Sequence, residues 1–447
     1  MSRLFYTFLL GLATFVLAGI APAQIPSTFF GTHEHRLLDQ NEPWPTGPNT
    51  KAVGTMRTWD METLTGWFEI EHTRGTYNFT NLDQLISLAQ SNGADVTYTF
   101  GWTPQWAVGS APCINPNGGY TGSPTPGCAM APADLTYWDE FVTALATHAK
   151  GKIAIYELWN EPNTINGSGV GMFWNGQSCN GSSCTFQQQS SLSTLVTMAQ
   201  HAKNIINSID PAAKIATPSP STGFCSSGSY VHPYCWMNDY LQAGGGAYAD
   251  MIAFHGYPGA NPQPELITPI ISEVRNTMSN NGVSSKGLID TESSYCNSSV
   301  SDQVAFTARW EILHASPQNT DRNYWYAWDD SSCGQLWSSS GLLATGLAFS
   351  QVYSWLTGST IAQACSASNN LYTCGLTLAS GQPALIAWNT SGSSSFTPGS
   401  QYTQYKDLSG NTTNFTGSVT VGARPLLFVG SAATRPSPPS GLSATVQ

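Results

Sequence analysis

The stretch Tyr156-Glu157-Leu158-Trp159-Asn160-Glu161-Pro162-Asn163 decides the reading of this chain. It continues Lys152-Ile-Ala-Ile-Tyr156, a short apolar, β-prone run of the kind that forms a buried parallel strand. Pro162 and a glycine-rich segment follow, so Asn160 and Glu161 stand where a strand gives way to a loop. In a (β/α)8 barrel that position is the rim on which reactive groups are mounted. A carboxylate there, beside an amide and flanked by Trp159 and Trp174, suits acid chemistry on a sugar. The bland alternative is that Asn160 caps the next segment, with Pro162 in its first turn.

Working outward, apolar strand-like runs recur at 25–31, 52–57, 95–100, 152–156, 213–217, 250–254, 286–291 and 322–327. Helical spacing of apolar residues lies between or after them at 81–89, 135–150, 191–208, 234–243, 264–281, 300–315 and 341–356. Such an alternation predicts the α/β class. A run of eight strand-then-helix units predicts a (β/α)8 TIM barrel over 24–356 rather than an open sheet, which needs a reversal of strand order to place a site. From residue 357 the texture changes. Short strands at 372–378, 383–388, 395–397, 401–405 and 424–429, separated by Gly, Ser and Asn turns, predict a small C-terminal antiparallel β-sandwich module over 357–432. Residues 433–447 read as a Pro/Ser linker, and Leu442-Ser-Ala-Thr-Val resembles the first strand of a fibronectin type III domain.

Composition narrows the partners. Only 10% of the 447 residues are charged, against about 25% in ordinary soluble domains, and Gly, Ser, Thr and Asn supply the polarity instead. The formal charge of −11 argues against nucleic acid and anionic membranes as partners. Met1-Ser-Arg3, an apolar run from Leu4 to Ile20 and Ala21-Pro22-Ala23 have the n-region, h-region and small-x-small ending of a signal peptide over 1–23. The mature chain would then be secreted; a retained anchor is the alternative, and Pro22 disfavours it. The 10 cysteines fall into sequential neighbours, Cys113 with Cys128, Cys179 with Cys184, Cys225 with Cys235, Cys296 with Cys333 and Cys365 with Cys374. Each pair would close one loop in an oxidising compartment. A zinc site is the rival reading, but no Cys-x-x-Cys and no histidine at ligand spacing accompanies them.

Glu292 follows the seventh strand as Glu161 follows the fourth, and 131 residues separate them, a spacing that fits three βα units. Two glutamates on one rim can face each other across a glycosidic bond, one protonating the leaving oxygen and the other attacking the anomeric carbon. Other rim candidates are His33 and His35 after strand one, Arg57 at the end of strand two and Trp102 after strand three. His255 and Tyr257 follow strand six, and Trp328 follows strand eight. Glu157 lies on the same strand face as Glu161 but deeper, which makes it buried structure.

Asn160-Glu161-Pro162 after strand four, with a lone Glu292 after strand seven, resembles the clan A glycoside hydrolases. The Trp-Asn-Glu-Pro-Asn form and Thr103-Pro-Gln-Trp-Ala107 are most similar to family 39 and its relatives. The resemblance covers the barrel, and it implies a retaining hydrolase of β-linked poly- or oligosaccharides. Two carboxylates would supply the chemistry, so no metal or organic cofactor is expected, and the chain is expected to act as a monomer. Residue by residue the resemblance implies Glu161 as acid/base and Glu292 as nucleophile. Asn160 would meet the 2-hydroxyl of the sugar, Tyr257 and His255 would hold Glu292, and Arg57 would keep Glu292 ionised. Trp328 would form the floor under the ring, with Trp102, His33 and His35 as further sugar contacts. Arg57 as a structural ion pair, Trp328 as barrel core and His33, His35 and His255 as satisfied core histidines remain the alternatives. The cysteine-rich loops after strands three and four have no counterpart in that pattern. A non-catalytic carbohydrate-binding protein on a decayed barrel is the rival function; a barrel esterase would need a Gly-x-Ser-x-Gly elbow, which is missing.

Overall fold

The computed structural model describes residues 23–48, 51–115, 127–165, 170–175, 177–180, 183–186, 191–221, 223–224, 230–231, 234–259, 262–296, 300–316 and 320–430. The expected leader over 1–23, except Ala23, and the tail from residue 431 lie outside them. Eight short strands form a closed parallel barrel in sequence order: β1 Phe30–Thr32, β2 Thr55–Arg57, β3 Asp95–Thr99, β4 Ile155–Glu157, β5 Lys214–Ala216, β6 Met251–Phe254, β7 Gly287–Ser293 and β8 Arg322–Trp325. β8 closes onto β1 in parallel, Thr32 opposite Trp325. With side chains buried on both faces, these strands read as apolar runs rather than alternating ones.

The barrel interior is layered. Ile155, Ala216, Ala253 and Ile289 form one small apolar cluster contributed by β4 to β7. On the opposite wall the Tyr324 hydroxyl bonds Thr97 Oγ1 at 2.5 Å and Thr55 Oγ1 at 3.3 Å, so the buried polar atoms there are paired. Above these layers lie the polar side chains of the strand ends.

Among the described residues seven helices of more than one turn wrap the strands: α1 Thr80–Ser91, α2 Leu135–His148, α3 Leu192–Ile209, α4 Tyr234–Gln242, α5 Ile267–Asn280, α6 Gln303–Ala315 and α7 Ala344–Leu356. Their starts are chemically marked: Asp134, Ser191 and Asp302 accept from the backbone N–H of Thr136, Thr194 and Ala305 respectively, each cap being worth about 1 kcal/mol. On α5, Ile267, Ile270, Ile271, Val274 and Met278 form the buried stripe. Burying each such side chain contributes about 1.5–3 kcal/mol.

Several expected elements differ. Residues 27–29 form a 3-10 turn, so the first strand starts only at Phe30. Among the described residues no helix separates β1 from β2, because Pro43, Pro45 and Pro48 prevent one from propagating. Two single-turn helices, Glu62–Thr65 and Trp67–Ile70, precede α1. β7 runs through Glu292 to Ser293, so that glutamate is carried by the strand itself and not by the loop beyond it.

After α7 the chain builds antiparallel sheets: β9 Thr360–Ser368, β10 Leu371–Thr377, β11 Pro383–Asn389, β12 Ser394–Phe396, β13 Gln404–Lys406, β14 Thr412–Asn414, β15 Val419–Val421 and β16 Leu426–Val429. The main sheet runs β9-β10-β11-β16-β13-β14, with β12 and β15 pairing separately. Sequence reading misses β9, β14 and the three-residue β15, which alternates buried Val419 and Val421 but is too short to register as a run; β9 and β14 fail for another reason. Both are polar, mostly exposed outer strands, and without a buried face they leave no hydrophobic alternation to see.

Three bridges join the expected partners, Cys113–Cys128, Cys296–Cys333 and Cys365–Cys374. Cys235 is also disulfide-bonded, while Cys225 and the side chains of Cys179 and Cys184 lie outside the described residues. No described helix is long and apolar enough to cross a membrane.

Candidate active site

Arg57 is the centre of the barrel mouth. It ends β2, is fully buried, and spreads its guanidinium over three other strands. Nε donates to Glu157 Oε2 at 2.7 Å on β4, one terminal nitrogen to Glu292 Oε2 at 2.9 Å on β7, and the other to Asn160 Oδ1 at 2.7 Å. That second nitrogen also reaches Ser219 Oγ, beyond β5, at 3.4 Å. Glu157 additionally accepts from Thr99 Oγ1 at 2.6 Å. Burial raises the Glu157 carboxyl, but the charges of Arg57 and His255 and the hydroxyls of Thr291 and Thr99 together bring it below the ordinary range. Glu157 is thus the buried structural partner that strand alternation implied.

The backbone beyond β4 keeps strand-like pairing for a few residues. Ser219 N donates to Trp159 O at 3.0 Å and Glu161 N to Ser219 O at 2.9 Å, so Asn160 and Glu161 are tied to the β5 side. Glu161 takes a left-handed φ of +38°. For a residue with a Cβ this costs about 1 kcal/mol or more, and such strain concentrates at functional sites. It turns the carboxylate toward His255, whose Nδ1 is 2.8 Å from Glu161 Oε1, while Thr164 Oγ1 donates to Oε2 at 2.9 Å.

Glu292 is held differently. Tyr257 Oη donates to its Oε1 at 2.9 Å, and Arg57 binds Oε2. His255 stands 3.8 Å away, so it bonds the other glutamate and not the one the family resemblance implied. Asp290 fixes the strand beneath. One oxygen accepts from Gly256 N at 3.1 Å; the other accepts from Ser293 Oγ at 2.7 Å and pairs with His314 Nε2 at 2.9 Å. A Cβ at position 256 would come within 2.3 Å of that second oxygen, so only glycine allows this approach. One buried carboxylate therefore fixes both the segment bearing His255 and Tyr257 and the strand bearing Glu292.

One ligating atom each from Glu161, His255 and Glu292 lies within 4.8 Å of the other two. That spacing would also suit a cation, but Arg57 already supplies the positive charge on Glu292 and His255 Nδ1 is engaged by Glu161. Burial raises Glu161, yet the hydrogen bond and charge of His255 bring it below the ordinary carboxylate range. Burial lowers His255, and Glu292 and Glu161 more than reverse this and raise it. Together these directions put one proton on the His255–Glu161 hydrogen bond. Burial raises Glu292, and Glu161 adds to it, against the pull of His255 and Arg57. Arg57 thus favours the ionised form of Glu292 without bringing its carboxyl below the ordinary range. The two glutamates are shifted opposite to the expected acid and nucleophile assignments. Transfer of the His255 proton along the 2.8 Å bond gives Glu161 its acid form and leaves the protonation of Glu292 unchanged.

Next to Glu292 is a polar cluster that sequence reasoning only half found. His33 is buried, with Nδ1 bonded to Asp60 and Nε2 to Thr291 O at 2.8 Å, so both nitrogens serve structure. His35 is 28% exposed; its Nδ1 meets Asp329 at 3.0 Å and its Nε2 meets Tyr326 Oη at 3.2 Å. Burial opposes its charge, but Asp329 and Asp60 win and push it up to about 11. Asp60, Asp329 and Tyr326 are not among the rim candidates that the sequence marks. The Tyr326 ring lies 5.1 Å from His33, 5.6 Å from His35 and 6.4 Å from Tyr257, partly buried at the mouth. Trp328 and Trp102 are each only 1% exposed. Trp328 belongs to the main core, and Trp102 stacks on Trp59 at 6.1 Å beside Phe173. The structure gives both a packing position instead of an open platform.

Strand alternation marks Tyr326. Tyr324 points into the barrel, bonding Thr55 and Thr97, whereas Trp325 packs outward on Phe306 and Phe349. Two residues on from Tyr324, Tyr326 returns to the inner face, now at the rim.

No family model and no curated protein matches the chain by sequence. Solved structures do match in fold. A family 39 glycoside hydrolase from Bacteroides cellulosilyticus WH2 superposes with a TM-score of 0.64 at 17% identity, over 91% of this chain and 81% of that one. A monomeric beta-xylosidase from Caulobacter crescentus CB15 gives 0.60 at 13% identity, over 92% and 97%. A GH39 enzyme from Xanthomonas axonopodis pv. citri gives 0.59 at 13%, over 91% and 95%. What they share with this chain is a barrel carrying a β module.

Proposed function

We propose that this chain is a secreted, monomeric, retaining β-glycoside hydrolase. The observation that carries the reading is the facing pair Glu161 and Glu292, with oxygens within 4.8 Å across the barrel mouth. Retaining enzymes hold their two carboxyl groups about 5–5.5 Å apart, whereas inverting ones leave about 6.5–9.5 Å for a water. The disulfides fit an oxidising compartment. The fold relatives, glycoside hydrolases by description, support the class of reaction.

In the first step Glu292 Oε attacks the anomeric carbon as the bond to the leaving oxygen breaks, and Glu161 delivers its proton to that oxygen. A covalent glycosyl ester on Glu292 results. Glu161, now a carboxylate, takes a proton from a water that attacks the same carbon, which frees Glu292 and restores the starting protonation. Arg57 and Tyr257 stabilise Glu292 when it is an anion at either end of the cycle. Asn160, whose Oδ1 is held by Arg57, has its amide N–H left for the sugar 2-hydroxyl. Tyr326 takes the place expected of Trp328 as the ring against which the sugar packs.

Activity on a panel of plant and microbial β-polysaccharides, with product sizes read by mass spectrometry, tests the class. Proton NMR at early times tests the stereochemistry: the β anomer is expected first, and early α product defeats the retaining mechanism.

A further inference from the structure

We infer that the cleft takes uncharged glycans and rejects a uronic acid at the cleavage subsite; this rests on the glycosidase reading above. A sugar carboxylate that leaves water for a partly desolvated site needs a cation within hydrogen-bond reach, because an unpaired charge there is strongly disfavoured. The sequence contains sixteen lysines and arginines. Only Arg36 and Arg57 lie at the C-terminal end of a barrel strand or within the first few residues beyond it. Lys51, Lys152, Lys214, Lys286 and Arg322 precede or open strands and so sit at the opposite end of the barrel. Arg74 is turned outward onto Glu140, at 2.7 and 2.8 Å, and over the ring of Tyr137. The segments outside the described residues that follow strands β3 to β7 contain no lysine or arginine; His232 is their one histidine.

Both rim arginines are already committed. Arg57 is buried under Glu157, Glu292 and Asn160. Arg36 binds the Asp329 carboxylate at 3.0 Å and its carbonyl at 2.9 Å, with Glu42 at 3.9 Å. His35 lies between Asp329 and Asp60. A uronate entering the mouth would therefore meet Glu161 and Glu292 with every neighbouring cation neutralised. What the mouth offers instead is the amide of Asn160 and the ring faces of Tyr257 and Tyr326, whose hydroxyls bond Glu292 and, for Tyr326, His35 and Asp60. Those groups recognise sugar hydroxyls and C–H faces.

The test compares matched substrates on the full chain: aryl β-glucoside against β-glucuronide, aryl β-galactoside against β-galacturonide, and a β-linked glucuronan against its carboxyl-reduced form. The expected result is kcat/KM at least about 100-fold higher on the neutral member of whichever pair is cleaved. A ratio below about tenfold, or one favouring the uronate, overturns the inference and leaves the glycosidase reading intact. If neither member of any pair, nor any neutral β-polysaccharide, is cleaved, both fall. Asp329→Asn, folded by circular dichroism, releases Arg36 and should narrow the ratio. An unchanged ratio in that variant overturns the paired arginine as its cause.

Discussion

Two buried arginines in this molecule share one chemistry and differ in what they leave open. Arg309, on α6, grips both oxygens of Glu265, at 2.9 and 2.5 Å, and the indole N–H of Trp388 from the β module donates to the same carboxylate at 3.0 Å. Trp388 is fully buried there and stacks on Tyr372 at 4.9 Å. It is the one tryptophan of the module, and it fastens the module to the barrel. Arg57 instead divides its donors among Glu157, Glu292 and Asn160, so no acceptor is closed by it alone. A two-oxygen clamp with a third donor makes a static joint. A shared guanidinium makes a frame in which Glu292 keeps a second oxygen for Tyr257, and Glu161 stays on a separate hydrogen bond with His255. The contrast separates an ion pair that only holds from one that positions charge for a reaction.

The contrast breaks most directly at the glutamates. Glu292→Ala should abolish turnover of every substrate, a loss on the order of 10⁴-fold or more, because no covalent intermediate can form. Glu161→Ala should be graded: natural substrates lose most of their rate, while an aryl glycoside with an acidic phenol still forms the intermediate. Azide, which needs no base, should then restore turnover in Glu161→Ala and give a β-glycosyl azide. Wild-type activity of either variant on a natural substrate would sink the assignment of the pair.

Arg57→Met comes next. It leaves Glu157 buried without its cation, which costs about 3–5 kcal/mol of stability, and it should lower kcat as well. Arg309→Met should lower stability with kcat unchanged at a temperature where the variant is folded. Thermal melts and steady-state kinetics on both variants decide the matter; equal kinetic effects would erase the distinction.

A subtler consequence concerns pH. Glu292 is raised by burial, so kcat/KM should fall on the acid side at a pH above that of an ordinary glutamate, about 4.3. The shared proton is retained because His255 is raised, so the alkaline limb should lie above the ordinary histidine value of about 6.5. Activity is thus lost as pH falls through the raised Glu292 value, when the nucleophile is protonated. It is lost again as pH rises through the raised His255 value, when Glu161 has no proton to give. An alkaline limb below about 6.5 would contradict the shared proton.

How much of this was legible in the chain follows from the range of the interactions. Strand ends announce themselves locally, so Asn160, Glu161, Glu292, Arg57 and Tyr257 could be placed on one rim from apolar runs and their spacing. Which partner each group finds is a matter of register across strands. His255 meets Glu161, not Glu292, because of a turn at a left-handed Glu161, and no local pattern encodes that turn. Trp328 and Tyr326 compete in one aromatic run, Tyr324-Trp-Tyr-Ala-Trp328, where size favours tryptophan and only alternation favours Tyr326. Asp60 and Asp329 matter through histidines hundreds of positions away or across a loop, with no motif to mark them. The Glu265–Arg309–Trp388 joint is equally invisible, since its members are far apart in sequence and none sits in a recognisable pattern.

The smallest expected effect tests the static side of the comparison most finely. Trp388→Phe removes the indole N–H and leaves a ring to pack against Tyr372. Glu265 Oε1 still accepts from Arg309 Nε, so no buried acceptor is orphaned, and the cost should be that of one hydrogen bond to a charged group, about 1.5–3 kcal/mol at most. The melting temperature should fall by only a few degrees, with kcat, KM and both limbs of the pH profile unchanged. Trp388→Ala loses the stack as well and should cost about 3–5 kcal/mol, still without a kinetic effect below its melting range. If Trp388→Phe shifts kcat or either limb, the module reaches the catalytic mouth through this joint, and the division between a holding arginine and a positioning one fails. If the isolated module, residues 357–432, folds and binds polysaccharide, Trp388 has a face for sugar after all, and its burial against Glu265 is not what the module is for.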